Sequence, residues 1–258
     1  MNEWLYIAAI WIVAIGGFVV RSLSISGALA TVLVGTAVAA GFAWKGLCLL
    51  GVFFVTSSFW SHFCHRKKER VAEKVAKGSQ RDYIQVFANG SIPATISLLS
   101  LFFPSFVWQG LFIVSIAAAN ADTWASEIGS LSRQSPRLVT TWEKTEPGTS
   151  GAVTWLGLAA SCLGAGLIAV VGSLLWDGVP VVAVSIAGFL GCMIDTYLGA
   201  VWQAMYRCEV CGIETEKTEH CQQKTVHIKG IRLLNNDLVN WLAIACSLIV
   251  YLFVTNLQ

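Results

Sequence analysis

Apolar runs, separated by polar or glycine-containing breaks, set the pattern of this chain. Eight can be read, near 4–20, 23–42, 46–63, 83–104, 106–128, 151–175, 179–203 and 237–256. Each is close to the roughly 20 residues that cross a bilayer as a helix. In lipid such a segment must satisfy its own backbone groups, and a helix does so. The pattern predicts an all-α polytopic bundle of about eight transmembrane helices, a single integral-membrane domain over 1–258. The first run has no basic stretch before it and no small-residue cleavage site after it, so it reads as a retained helix and not a signal peptide.

Composition agrees: 55% of residues are hydrophobic, 12% are charged and the mean hydropathy is +0.66. Charge adds an orientation, because basic residues collect on the cytoplasmic side. With both termini outside, the inner loops hold Arg21, the cluster from Arg66 to Arg81, Arg133, Arg137, Lys144, and Arg207 through Arg232. That is 16 of the 17 Lys and Arg residues, with Lys45 alone outside. Trp4, Trp44, Trp108 and Trp176 fall near the outer boundary of this frame, and Trp60, Trp142, Trp202 and Trp241 near the inner one. Outer loops are short, so soluble chemistry belongs on the inner face. The net charge of +2 is segregated by the membrane, and no nucleic-acid partner is expected. A prokaryotic cytoplasmic membrane is the expected location, and the oligomeric state is not legible.

Polar groups inside these segments carry the chemistry, since ionisable side chains at membrane depth are expensive and mark functional sites. The fifth segment ends in Asn120-Ala121-Asp122-Thr123-Trp124-Ala125-Ser126-Glu127-Ile128-Gly129. At helical spacing Asn120, Thr123 and Glu127 share one stripe and Asp122, Ser126 and Gly129 another, so the two carboxylates point apart on a regular helix. Asp195 falls on a glycine stripe of the seventh segment with Gly188, Gly191 and Gly199. Arg81, Gln85 and Asn89 share a flank of the fourth. Asn235, Asn236, Asp237 and Asn240 open the eighth with more polar side chains than an N-cap needs. Glu146-Pro147-Gly148-Thr149-Ser150-Gly151 leads into the sixth, where free N–H groups and a helix dipole suit a phosphate; ordinary capping by Thr149 or Ser150 is the plainer alternative. Together these residues read as a site for a metal ion and phosphates. In the last inner loop, Cys208-x2-Cys211 and His220-Cys221 offer four zinc-compatible ligands, although adjacent His and Cys are an awkward pair for one tetrahedral ion.

Four stretches carry a resemblance: 85–90 (QVFANG), 120–129 (NADTWASEIG), 146–154 (EPGTSGAVT) and 234–240 (LNNDLVN). They resemble the integral-membrane family containing plant phytyl-phosphate kinase and transmembrane protein nineteen, over about Ser24 to Asn240, and are more distantly similar to CTP-dependent polyprenol kinases. The resemblance implies a kinase that converts a prenyl monophosphate to the diphosphate with a nucleoside triphosphate, CTP favoured. On that reading Asp122 and Asp195, helped by Glu127 or Asp237, hold Mg²⁺, Asn120 and Asn89 orient phosphate oxygens, and Gln85 and Asn236 are further substrate-binding residues. Gly148, Thr149, Ser150 and Gly151 cradle a phosphate whose charge Arg81 or Arg137 balances. The prenyl chain lies between helices, open to lipid. A transporter or flippase for a lipid phosphate is the alternative use of the same polar groups.

Overall fold

A computed structural model describes residues 3–63, 74, 76, 78 and 80–256. Of the basic cluster from Arg66 to Arg81, only Lys74 and Arg81 are among the described residues. These form seven helices: α1 Glu3–Val19, α2 Ile25–His62, α3 Tyr83–Phe102, α4 Val107–Gly129, α5 Trp155–Leu175, α6 Val181–Val201 and α7 Asn236–Asn256. The fold is a helical membrane bundle. Five helices, α2, α3, α5, α6 and α7, are long and apolar enough to cross a membrane.

The count of eight differs because the second and third apolar runs are the arms of α2, which is interrupted at Ala43 (φ 50°, ψ −139°). There the chain folds back on itself. A Cβ built on Gly46 would meet Val38 Cγ1 at 2.7 Å, whereas eight residues of straight helix span about 12 Å. The break expected between residues 42 and 46 is therefore present, as a turn at Ala43 inside one continuous element.

α4 is the central post, packed against α2, α3, α5, α6 and α7. Every residue from Gly110 to Ala121 is buried. Being screened from lipid by its neighbours, it tolerates the amide, hydroxyls and carboxylates that keep it below the hydropathy of the other spans. Phe112, Val38, Ile113 and Ile168 fill the core around it. Near its start Phe42, Phe112 and Trp176 form an aromatic cluster, with ring centroids 4.6 to 6.0 Å apart.

The polar connections meet at the opposite end. Leu23 pairs with Arg81 as a parallel bridge, Thr154 Oγ1 donates to Gly129 O at 3.4 Å, and Ser150 Oγ to Gln203 Oε1 at 3.1 Å. These connections are not all irregular. β1 (Arg137–Leu138) pairs antiparallel with β2 (Ala152–Val153). Between α6 and α7, β3 (Met205–Arg207) lies between β4 (Glu214–Thr215) and β7 (Val226–Lys229), while β5 (Glu219–His220) pairs with β6 (Gln223–Lys224). Strands this short carry no readable alternation, and an all-α expectation omits them.

Candidate functional site

A cavity of about 460 Å³ opens at this polar end, between the C-terminal turns of α4 and α6, the first turns of α3 and α7, and the 147–154 connection. Asp122, Glu127, Asp195 and Asp237 all line it, together with Glu216 from the strand-rich loop. Asp122 and Glu127 do so although α4 stays helical through Gly129. The cavity spreads around more than one stripe of the helix, so diverging side chains face the same space. Ser61 Oγ, on the second arm of α2, donates to Glu127 Oε1 at 2.7 Å and fixes that carboxylate. With its amide nitrogen turned toward the acceptors, Asn240 donates to Asp195 Oδ2 at 2.8 Å and to Asn236 O at 3.1 Å.

Arg81, Gln85 and Asn89 line the wall opposite. Asp82 caps α3: its Oδ1 accepts from Gln85 N at 2.9 Å while Gln85 Oε1 accepts from Asp82 N at 3.1 Å. This reciprocal box fixes the entry of α3 and hence Arg81 just before it. Burial pushes the Arg81 guanidinium below its ordinary value, and the charge of Glu127 opposes that shift. Asn89 Nδ2 donates to Gln85 O at 3.1 Å.

Gly148, Thr149, Ser150 and Gly151 also line the cavity, but they do not start a helix. Thr154 is the cap of α5, its Oγ1 accepting from Gly157 N at 3.0 Å, and β2 intervenes. The glycines turn the backbone, with φ of 82° at Gly148 and 80° at Gly151, a region open to glycine at little cost. The helix dipole of α5 therefore begins beyond this loop. Thr149 Oγ1 is held by Glu146 O at 2.9 Å.

Two expected site residues lie elsewhere. Asn120 is fully buried; its Nδ2 donates to Gly164 O at 2.8 Å and its Oδ1 accepts from Thr56 and Ser57 at 3.3 and 3.4 Å. The amide joins α2, α4 and α5 and has no face toward the cavity, so its phosphate role is withdrawn. Arg137 sits in β1, donating from Nη1 to Trp142 O at 2.7 Å, and lines a separate hollow with Trp142, Lys144 and Trp155. Asn236 and Asp237 do line the cavity, while Asn235 Oδ1 accepts from Leu238 N at 3.0 Å as the cap of α7.

Glu216 and Gln203 escaped the sequence reading. Gln203 is 2% exposed and donates from Nε2 to Glu216 Oε1 at 2.7 Å, while Ala76 N donates to Glu216 Oε2 at 3.1 Å. Burial pushes the Glu216 carboxyl above its ordinary value, with the charge of Asp237 adding to the rise. One acidic residue in a charged loop gives no signal of such placement.

An apolar groove of about 150 Å³ runs between α1, both arms of α2 and α3, lined by Ile10, Val13, Val34, Leu50 and Phe54 among others. It ends on Arg81, Gln85 and Asn89, the residues that line the polar cavity from the other side. The cysteine loop stands apart from both. Cys208, Cys211, His220 and Cys221 bring their ligand atoms within 4.8 Å of one another.

Comparison with known proteins places this architecture. The chain is 37% identical over 185 residues to an uncharacterized membrane protein of Methanocaldococcus jannaschii, covering 71% of this chain and 76% of that one. It is 32% identical over 257 residues to Protein PGR of Arabidopsis thaliana, covering 87% and 86%. To Protein VTE6, chloroplastic, of the same plant it is 27% identical over 237 residues, covering 90% and 65%. No solved structure matches. The profile described as integral membrane protein DUF92 matches residues 8–248, nearly all of the helical bundle, and the chain belongs to that family.

Proposed function

We propose that the protein is a prenyl-monophosphate kinase. It transfers the terminal phosphoryl group of a nucleoside triphosphate, CTP being the favoured donor, to a phytyl-like monophosphate at the cytoplasmic face of the membrane. The observation that carries this reading is the shared wall of Arg81, Gln85 and Asn89. On one side lies a carboxylate-rich cavity; on the other, an apolar groove among membrane helices. An amphiphile with a phosphate head and an isoprenoid tail has that division. The resemblance of the four sequence motifs to the phytyl-phosphate kinase family points the same way.

The cavity offers oxygen donors of the kind Mg²⁺ takes, and it is large enough to leave that ion several waters. Asp122, Asp195 and Asp237 would hold it. When bound, the metal neutralises phosphate charge and polarises the phosphorus–oxygen bond that breaks. The protein's own part is positioning. Arg81 and Asn89 receive the acceptor phosphate at the mouth of the groove, and the 148–151 loop receives the nucleotide phosphates. An oxygen of the monophosphate bonds to the γ-phosphorus as the bond to the bridging oxygen breaks, releasing nucleoside diphosphate and leaving prenyl diphosphate. That oxygen is already anionic near neutral pH, so no general base is needed.

Purified protein in nanodiscs, given labelled CTP or ATP, Mg²⁺ and phytyl or geranylgeranyl monophosphate, is expected to form the labelled diphosphate. Folded protein that is inert with every donor and acceptor overturns the kinase reading; lipid-phosphate movement across proteoliposomes would then favour a flippase.

A further inference from the structure

The loop between α6 and α7 holds a cluster that the kinase reading does not use. Cys208 and Cys211 lie in the turn between β3 and β4, closed by Cys208 N donating to Ile213 O at 3.0 Å and Gly212 N donating to Cys208 O at 2.8 Å. His220 ends β5 and Cys221 follows it. The Sγ atoms of Cys211 and Cys221 are 3.4 and 3.2 Å from His220 Nδ1. With metal–sulfur bonds of about 2.3 Å and metal–nitrogen bonds of about 2.0 Å, the sulfur–nitrogen edge of a tetrahedron is about 3.5 Å.

The adjacency of His220 and Cys221, awkward on an extended strand, is resolved by the backbone. Cys221 and Gln222 have φ of 50° and 60°, a two-residue turn of the type that glycine and asparagine favour. Neither residue is glycine or asparagine, and left-handed backbone is costly for such side chains, so it persists where surrounding structure demands it. The turn brings Cys221 Sγ to the same imidazole nitrogen that Cys211 Sγ faces.

We infer that Cys208, Cys211, His220 and Cys221 form a structural zinc site that ties the β3–β4 turn to the β5–β6 turn. Four protein ligands close the coordination sphere and leave no position for a substrate, so the ion's role is architectural. Its setting gives it a consequence for the cavity. Glu216 directly follows β4, one strand away from the Cys208–Cys211 turn, and its carboxylate reaches the cavity wall. Clamping this turn holds the segment that delivers Glu216; Glu216 is on this account a positioned residue whose loop depends on the metal.

The test needs no substrate. Full-length protein, purified in detergent with a non-chelating reductant, is expected to carry about one zinc per chain by plasma mass spectrometry. The Cys208→Ser/Cys211→Ser double variant should lose it, and Cys48→Ser, in α2, should keep it. Should the double variant not fold, the unaltered protein decides: a well-folded chain without stoichiometric zinc, or with iron in its place, overturns the inference. So does an intact mass showing a disulfide among Cys208, Cys211 and Cys221. A second reading follows trypsin at Lys217, Lys224 and Lys229 within the loop. Chelation should speed cleavage there several-fold while the helices stay intact; cleavage unchanged after proven zinc removal would overturn the clamp.

Discussion

Gln203 Nε2 donates to Glu216 Oε1 at 2.7 Å, joining the end of α6 to a loop otherwise built from short strands. The same amide accepts from Ser150 Oγ at 3.1 Å. One buried side chain thus couples the glycine-rich connection to the carboxylate of the opposite loop. Replacing Gln203 by Leu leaves Glu216 and Ser150 without this partner inside the protein. The expected cost is about 1–3 kcal/mol, the usual penalty for stranded buried polar groups, read as a lower midpoint in thermal unfolding.

Glu216 also predicts a pH dependence. Its carboxyl is raised in the folded protein, by burial first, so the folded state binds a proton more tightly than the unfolded chain. Its contribution to stability is therefore full below the ordinary carboxylate range and is lost as pH rises through the raised value. In Mg²⁺-free buffer the Glu216→Gln variant should gain stability relative to the parent as pH increases. A difference between the two that stays flat across this range would count against the burial argument.

Asp122→Asn and Asp195→Asn are expected to lose phosphoryl transfer by at least about 10²-fold, the scale on which a removed electrostatic stabiliser acts, with little change in thermal stability. Single-turnover assays at saturating nucleotide measure this.

Asn120→Ala should behave in the opposite way. Its amide holds three helices together, so stability falls by about 1–3 kcal/mol, while the KM for nucleotide in the surviving folded protein is unchanged. A large rise in KM with normal stability would return Asn120 to the binding site.

Gly51 tests the groove. A Cβ there meets nothing within 4 Å, and Gly51 lines the apolar groove. Gly51→Leu should fold normally, and it should reduce turnover of a C20 prenyl phosphate more than of a C5 one. Equal effects on both would separate this groove from the isoprenoid tail.

The sequence made the spans legible because membrane helices write themselves as long apolar runs. It also made most of the cavity legible, because Asp122, Glu127 and Asp195 have to be expensive where they are. Asn120 shows where that logic stops: a buried amide is as costly as a functional one, and only its partners on Gly164, Thr56 and Ser57 distinguish the two. Arg137 shows the converse, since a cation in a polar loop carries no mark of which surface it faces. Glu216 was hidden for the same reason. The break at Ala43 is legible as the gap between two apolar runs, but periodicity reports the arms of a hairpin and says nothing of how abruptly they join.

That fold-back bears on biogenesis. A turn of one residue provides no tether by which one arm could settle in the bilayer while the other waits in water, so both halves of α2 must enter together as a preformed hairpin. Lys45 lies two residues past the turn, its Nζ 5.8 Å from the Trp176 ring centroid, at the end of the bundle away from the cavity. On the proposed orientation, with the cavity at the cytoplasmic face, that ammonium is carried through the hydrocarbon, at a cost of about 2.5–3.5 kcal/mol on insertion scales. The combined apolarity of two arms, and not of one, is what meets that cost, and the hairpin is the unit in which α2 enters the membrane.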